Sequence, residues 1–206
     1  MLACAALSAL ASCANIEATQ DPGGDYDVDT GGWSGYAGYV FGHKSTEGLG
    51  DAKDAVVPAG FDLAVTPPGS PIALVLQLLV GFVSDGPDEA PGSNILDVDS
   101  VTTTTLNVGV RKVFGEPEAV RPFIGGGLSL LDMVFEDTSA LFGATNRLDA
   151  DQSLGYWVGA GAYFALGRSF TLGFAVQQTI GHEVALTGRV FDADSLDLLG
   201  FIGARF

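Results

Sequence analysis

The 206-residue chain carries 25 acidic against 9 basic side chains, a formal net charge of -16, yet 47% of it is hydrophobic and its mean hydropathy is +0.32. That balance excludes nucleic acid as a partner, because phosphate binding draws on Lys and Arg; with only Cys4 and Cys13 present, the body of the chain has no disulfide framework or CxxC metal site. High hydropathy without a run of about 18 uncharged apolar residues in that body points away from a spanning helix and toward alternating strands with one face against lipid.

Residues 2–14, LACAALSALASCA, form an apolar, small-residue segment of signal-peptide length, too short to cross a bilayer as a helix. Leu10-Ala11-Ser12-Cys13 has the form of a lipobox and makes Cys13 the lipidation candidate, since two acyl chains anchor stably where one does not. Ordinary cleavage after Ser12-Cys13-Ala14 is the competing outcome. Residues 15–31 are acidic, Gly-rich and aperiodic, and read as a periplasmic linker.

From Trp33 onward, runs of strand length follow, and sorting each by parity separates an apolar outward row from a smaller or polar inward row. Trp33, Gly35, Ala37, Tyr39 and Phe41 share the first outward row; Phe61, Leu63 and Val65 share the second, opposite Asp62. Run 72–83 is apolar almost throughout, so a buried helix competes there, but Gly81 and the β-branched residues favour a strand with Gln77 inward. Run 101–114 sets Thr104, Leu106, Val108 and Val110 against Thr103, Thr105, Asn107 and Arg111, and its Thr residues favour β structure. Run 120–135 sends Ile124, Gly126, Leu128 and Leu130 outward; Asp132 interrupts that row, so a bulge or an exit from the membrane is expected there. Run 154–166 places Trp157 and Tyr163 inward among glycines, and the next run sends Phe170, Leu172, Phe174 and Val176 outward and Gln177 inward. The stretch 198–206 alternates back from Phe206, with Arg205 inward.

The connections alternate in length. Residues 43–59, 84–100, 136–152 and 181–196 are long and polar, whereas 67–71, 115–119 and 167–168 are short. The expected fold is therefore all-β: an eight-stranded antiparallel transmembrane β-barrel over residues 32–206, with short periplasmic turns and long external loops. A strand ending at Phe206 needs a partner, and in hydrocarbon only closure provides one. Acidic residues gather in the long connections, while Arg111, Lys112, Arg121, Arg168 and Arg205 fall near the turns, which suits a basic rim against anionic lipid. An eight-stranded barrel has room for little more than its own side chains. Asp62, Gln77, Asn107, Arg111, Gln177 and Arg205 are expected to fill the lumen, with Asp62 bonded to Arg111 or Arg205.

Chemistry is poorly supplied. The two histidines, His43 and His182, fall at predicted loop edges. A barrel lipid hydrolase would set a Ser two residues after its His, and after His182 that position holds Val184. Gly125-Gly126-Gly127 precedes no helix and is no phosphate cradle; Asp192-x-Asp194 lacks the Gly and Glu of a calcium loop and reads as a turn. No catalytic residue, metal site or cofactor is expected.

On Trp33-Ser34-Gly35-Tyr36-Ala37-Gly38-Tyr39, Arg121-Pro122-Phe123-Ile124-Gly125-Gly126-Gly127, Gly159-Ala160-Gly161-Ala162-Tyr163 and Gly203-Ala204-Arg205-Phe206, residues 32–206 resemble the small OmpA/OmpX-like outer-membrane barrel family. The resemblance implies the bacterial outer membrane as location, with its lipid and lipopolysaccharide as surroundings. It also implies Phe206 as part of the signal read by the barrel assembly machinery, and a structural, surface-interaction or adhesive role. An external ligand would be met by the acidic loops. The alternatives are a small porin-like channel and an outer-membrane lipid-modifying enzyme.

Overall fold

The computed structural model describes residues 32–46, 55–84, 100–115, 120–137, 147–167, 169–186 and 189–206. The expected signal segment 1–14 with Cys13, and the expected linker 15–31, lie outside the described residues.

Eight strands close into an antiparallel barrel: β1 (Ser34–Thr46), β2 (Ala55–Thr66), β3 (Ala73–Ser84), β4 (Ser100–Val113), β5 (Val120–Asp137), β6 (Arg147–Leu166), β7 (Phe170–Ile180) and, last in the chain, β10 (Ser195–Arg205). Between β7 and β10 a separate hairpin pairs β8 (Glu183–Leu186) with β9 (Arg189–Asp192). The barrel order β1-β10-β7-β6-β5-β4-β3-β2 joins first and last strands, with Tyr36 opposite Arg205 and Thr46 opposite Ser195.

The parity sorting holds along the strands. Leu74, Leu76, Leu78, Val80 and Phe82 are exposed on β3 while Val75, Gln77 and Leu79 between them are buried, and β7 alternates in the same way. Outward residues on all eight strands, among them Phe41, Leu63, Ile124, Val158, Phe174 and Ile202, make an apolar belt. Soluble monomers rarely expose a contiguous apolar patch beyond a few hundred Å²; a belt around a closed barrel is the surface that hydrocarbon solvates.

Interior glycines make room for rings. A Cβ at Gly161 would stand 2.7 Å from Phe123 Cζ, and one at Gly125 would stand 3.0 Å from the Trp157 ring. The short turn between β2 and β3 is closed by Ser70 N donating to Pro67 O at 3.0 Å, with Pro68 next and Gly69 at φ +70°, the position where a type II turn demands glycine.

Three expectations need correction. Of the two outcomes expected at Asp132, an exit from the membrane or a bulge, the bulge does not occur: β5 stays in register through Thr104–Asp132–Gln152 and continues to Asp137. The cross-strand neighbours of Asp132 are polar, so the carboxylate stands where the outward face has ceased to be apolar. The strands also run on into stretches read as loops: β1 to Thr46, β2 from Ala55, β6 from Arg147. A ladder keeps satisfying backbone donors and acceptors beyond hydrocarbon, whatever the polarity of the side chains. Finally, 181–196 is not a plain loop, since it contains the β8–β9 hairpin.

Candidate functional site

The inward rows converge on a polar lumen in two tiers. Toward the short-turn end, Arg111 from β4 donates from Nη1 to Asp62 Oδ2 at 2.7 Å and from Nη2 to Asp62 Oδ1 at 3.0 Å, a bidentate pair in which both side chains are buried. Arg111 Nη1 also donates to the Tyr163 hydroxyl. Gln77 Nε2 donates to Asp62 Oδ1 at 3.4 Å, and Asn107 Nδ2 donates to Gln77 Oε1 at 2.9 Å, so one carboxylate on β2 orders side chains from the next two strands, β3 and β4. The guanidinium carbon lies 4.6 Å from the centroid of the Phe123 ring, 5.8 Å from Tyr163 and 5.9 Å from Phe201. An Arg enclosed by aromatic faces and a single carboxylate is held by cation–π attraction as well as by charge.

Arg205, expected as the other possible partner of Asp62, instead donates from Nη2 to Gly167 O at 2.7 Å in the turn between β6 and β7. Its position at the very end of β10 places it at the lumen's rim rather than inside, where a backbone carbonyl is nearer than Asp62. Gln177 is buried in the lumen, opposite Asp197 on β10 and Gly159 on β6.

The second tier was missed by the sequence reading. Lys44 and Asp197, both buried, face each other across the β1–β10 pairing. Lys44 Nζ donates to Thr105 Oγ1 at 3.1 Å, Ser195 Oγ donates to Asp197 Oδ1 at 3.3 Å, and Thr179 Oγ1 and Ser195 Oγ are 2.7 Å apart. The signal was available: continuing the inward parity of Tyr36 and Val40 reaches Lys44, and extending the last strand back from Leu199 reaches Asp197 and Ser195.

Above this tier the hairpin packs over residues of β4, β5 and β6 at the long-connection end. His182 is buried, with Nε2 3.1 Å from Ser129 Oγ. Glu183 N donates to Ser153 Oγ at 2.9 Å and Ala185 N to Asp151 Oδ2 at 2.6 Å. Asp194 accepts from the amides of Gly181 and His182 at 2.7 and 3.1 Å, which is the turn role expected of it. Val184 and Ala193 pack against Val101, Leu131 and Met133 from β4 and β5. Burial, and then the positive charge of Lys44, hold the His182 imidazole below its usual pKa.

Ser129 and His182 form a hydroxyl–imidazole pair, but Asp194, the nearby acid, bonds backbone amides rather than the imidazole. The pair is buried, and among the described residues no acid is hydrogen-bonded to the imidazole as a nucleophilic triad requires. No group of three or more His, Cys, Asp or Glu side chains with metal-holding geometry occurs among the described residues. At the seam, Gly35 N donates to Phe206 O at 2.8 Å and Phe206 N to Gly35 O at 3.2 Å, so the last residue is bonded to the first strand.

No protein-family model matches the chain, and no curated protein matches it by sequence. Solved structures match in shape. Neisserial surface protein A superposes with a TM-score of 0.59 at 15% identity, covering 85% of this chain and 97% of that one. Ail, the attachment invasion locus protein of Yersinia pestis, gives 0.53 at 15% identity over 85% and 99% of the two chains. A major outer membrane protein of Thermus thermophilus gives 0.53 at 14% identity over 84% and 99%. With the closed order of its strands and the belt around them, the chain has the fold of the small eight-stranded outer-membrane barrels.

Proposed function

We propose that this protein is a non-enzymatic barrel of the bacterial outer membrane, its lumen plugged by its own side chains, with a structural or surface-interaction role exercised from the long-connection end. The observation that carries the reading is the division between the two faces of each strand. The outward rows form an apolar belt, while the inward rows are buried on one another, from Arg111 and Phe201 at one end to Met133 and Val184 at the other. Among the described residues, side chains rather than solvent occupy the space a solute of porin size would need. The acidic loops meet lipopolysaccharide and any external ligand, Phe206 serves recognition by the assembly machinery, and the leader delivers or anchors the chain through Cys13. Names such as surface protein and attachment invasion locus protein among the similar structures are in keeping with this role.

The test is reconstitution. Folded protein should migrate differently from boiled protein on a denaturing gel, and planar bilayers containing it should show no steady ion conductance. Porin-sized current steps would replace this reading with the channel, and altered lipid A masses on expression would replace it with the enzyme.

A further inference from the structure

The outward belt is not uniformly filled. A furrow of about 680 Å³ crosses it, floored by Gly126 and Ala160 and walled by Val110, Ile124 and Val158, with Lys112 at one end and Gln178 toward the other. It follows the cross-strand row Val110–Gly126–Val158–Gln178. That row climbs. Val110 stands three positions from the short-turn end of β4 at Val113, and Gln178 eight from that of β7 at Phe170.

From β4 to β10 the furrow crosses four interstrand spacings of about 4.8 Å, or roughly 19 Å. With strands tilted by about 40° it rises roughly 12 Å, close to one leaflet's share of a hydrocarbon core about 30 Å thick. The lower end carries a charge of the right kind. Lys112 is exposed one residue before β4 ends, with Nζ 5.3 Å from the centroid of the Phe114 ring. Lys44, Arg111, Arg121 and Arg205 stand on inward rows, so Lys112 is the cation that the described strand residues offer to the lipid side at that end.

We infer that this furrow is a seat for one glycerophospholipid of the leaflet at the short-turn end, with an acyl chain laid over Gly126 and Ala160 and the phosphate paired with Lys112. This rests on the membrane-barrel reading above. The small residues provide depth where their neighbours are Val and Ile, and the ammonium supplies the complement to a phosphodiester in a chain otherwise strongly acidic.

The experiment is native mass spectrometry of the full chain after refolding into vesicles of phosphatidylethanolamine and phosphatidylglycerol and extraction in mild detergent. Wild type should keep one phospholipid. Lys112→Gln should lower the retained fraction about fivefold, the worth of one basic residue near an anionic surface. Ala160→Leu, which fills the furrow without touching the charge, should lower it at least as far, and Leu78→Ala, outside the furrow on β3, should leave it unchanged. Diacylglycerol, which lacks the phosphate, should not be retained. Equal retention by wild type and both furrow variants, or equal retention of diacylglycerol, overturns the site while leaving the barrel standing. Wild type without heat-modifiable mobility in those vesicles overturns the membrane reading and the site with it.

Discussion

Replacing Asp62 by Ala removes the one carboxylate bonded to Arg111 among the described residues and strands a buried guanidinium. In the folded barrel that carboxylate accepts two bonds from Arg111, one from Gln77, which in turn accepts from Asn107, and a long one of 3.5 Å from the Tyr163 hydroxyl. Breaking a buried pair by deleting one partner costs about 3 to 5 kcal/mol, because the remaining charge keeps its desolvation penalty without its attraction. The rings of Phe123, Tyr163 and Phe201 soften this, since cation–π attraction at a desolvated site is worth about 2 kcal/mol; the expected loss is therefore near the lower figure, about 3 kcal/mol. Urea titration of the refolded barrel, read as the folded fraction on unboiled gels, measures it. A double-mutant cycle supplies the decisive comparison. Adding Arg111→Met to Asp62→Ala should restore part of the lost stability, because the stranded charge is gone and the aromatic cage accepts an apolar side chain. A loss below about 1 kcal/mol for Asp62→Ala, with additive effects in the cycle, would show that the pair is solvated and the lumen open.

Three further outcomes can be checked, the first two drawn from the barrel and the last from the leader sequence. His182 is held neutral below its ordinary range, so above the unfolded value of about 6.5 it contributes no pH dependence. As pH falls below that value the unfolded chain takes the proton first and hairpin stability drops; exchange protection of the β8–β9 amides, corrected for intrinsic rates, should fall from pH 6.5 to 5, and His182→Asn should abolish that fall, whereas equal falls in both would exclude His182 as the cause. Deleting Phe206 should reduce the yield of folded barrel far more than deleting residues 15–29, since Phe206 bonds both ways with Gly35 at the seam; equal folded yields would refute this. Cys13→Ala should end incorporation of labelled fatty acid, and an unlabelled wild type would point to ordinary cleavage instead.

Much of the barrel is legible because lipid imposes one rule on one face. On β3, β4 and β7 the period of two runs unbroken, and Gln77, Asn107, Arg111 and Gln177 follow from it as inward residues, as Asp62 does from the row of β2. The pairing of Asp62 with Arg111 rather than Arg205 depends on register and height across several strands, which no single strand records. Lys44 and Asp197 escaped because charge in a stretch bordering polar sequence reads as loop, although a polar lumen tolerates it. The β8–β9 hairpin escaped for a different reason: four-residue strands contain too few alternations to establish a period, and their partner is each other. His182 was placed at a loop edge in the chain correctly, but its burial comes from that hairpin folding back over Leu131 and Met133, a tertiary event.

The β1–β10 pairing also sets an order of events. Neighbouring strands such as β3 and β4 close over a connection of some 15 residues, whereas β1 and β10 enclose nearly the whole barrel. With loop-closure entropy growing as the logarithm of length, that difference costs roughly 2 kcal/mol before any seam contact is made. Between strands at the seam, Gly38 and Gly203 oppose one another so closely that a Cβ on either would meet the other's Cα at 2.5 to 2.7 Å. The last gap in the cylinder is thus the most improbable to find, and what closes it includes a pair of glycines from the two ends of the fold that leaves no room for a side chain.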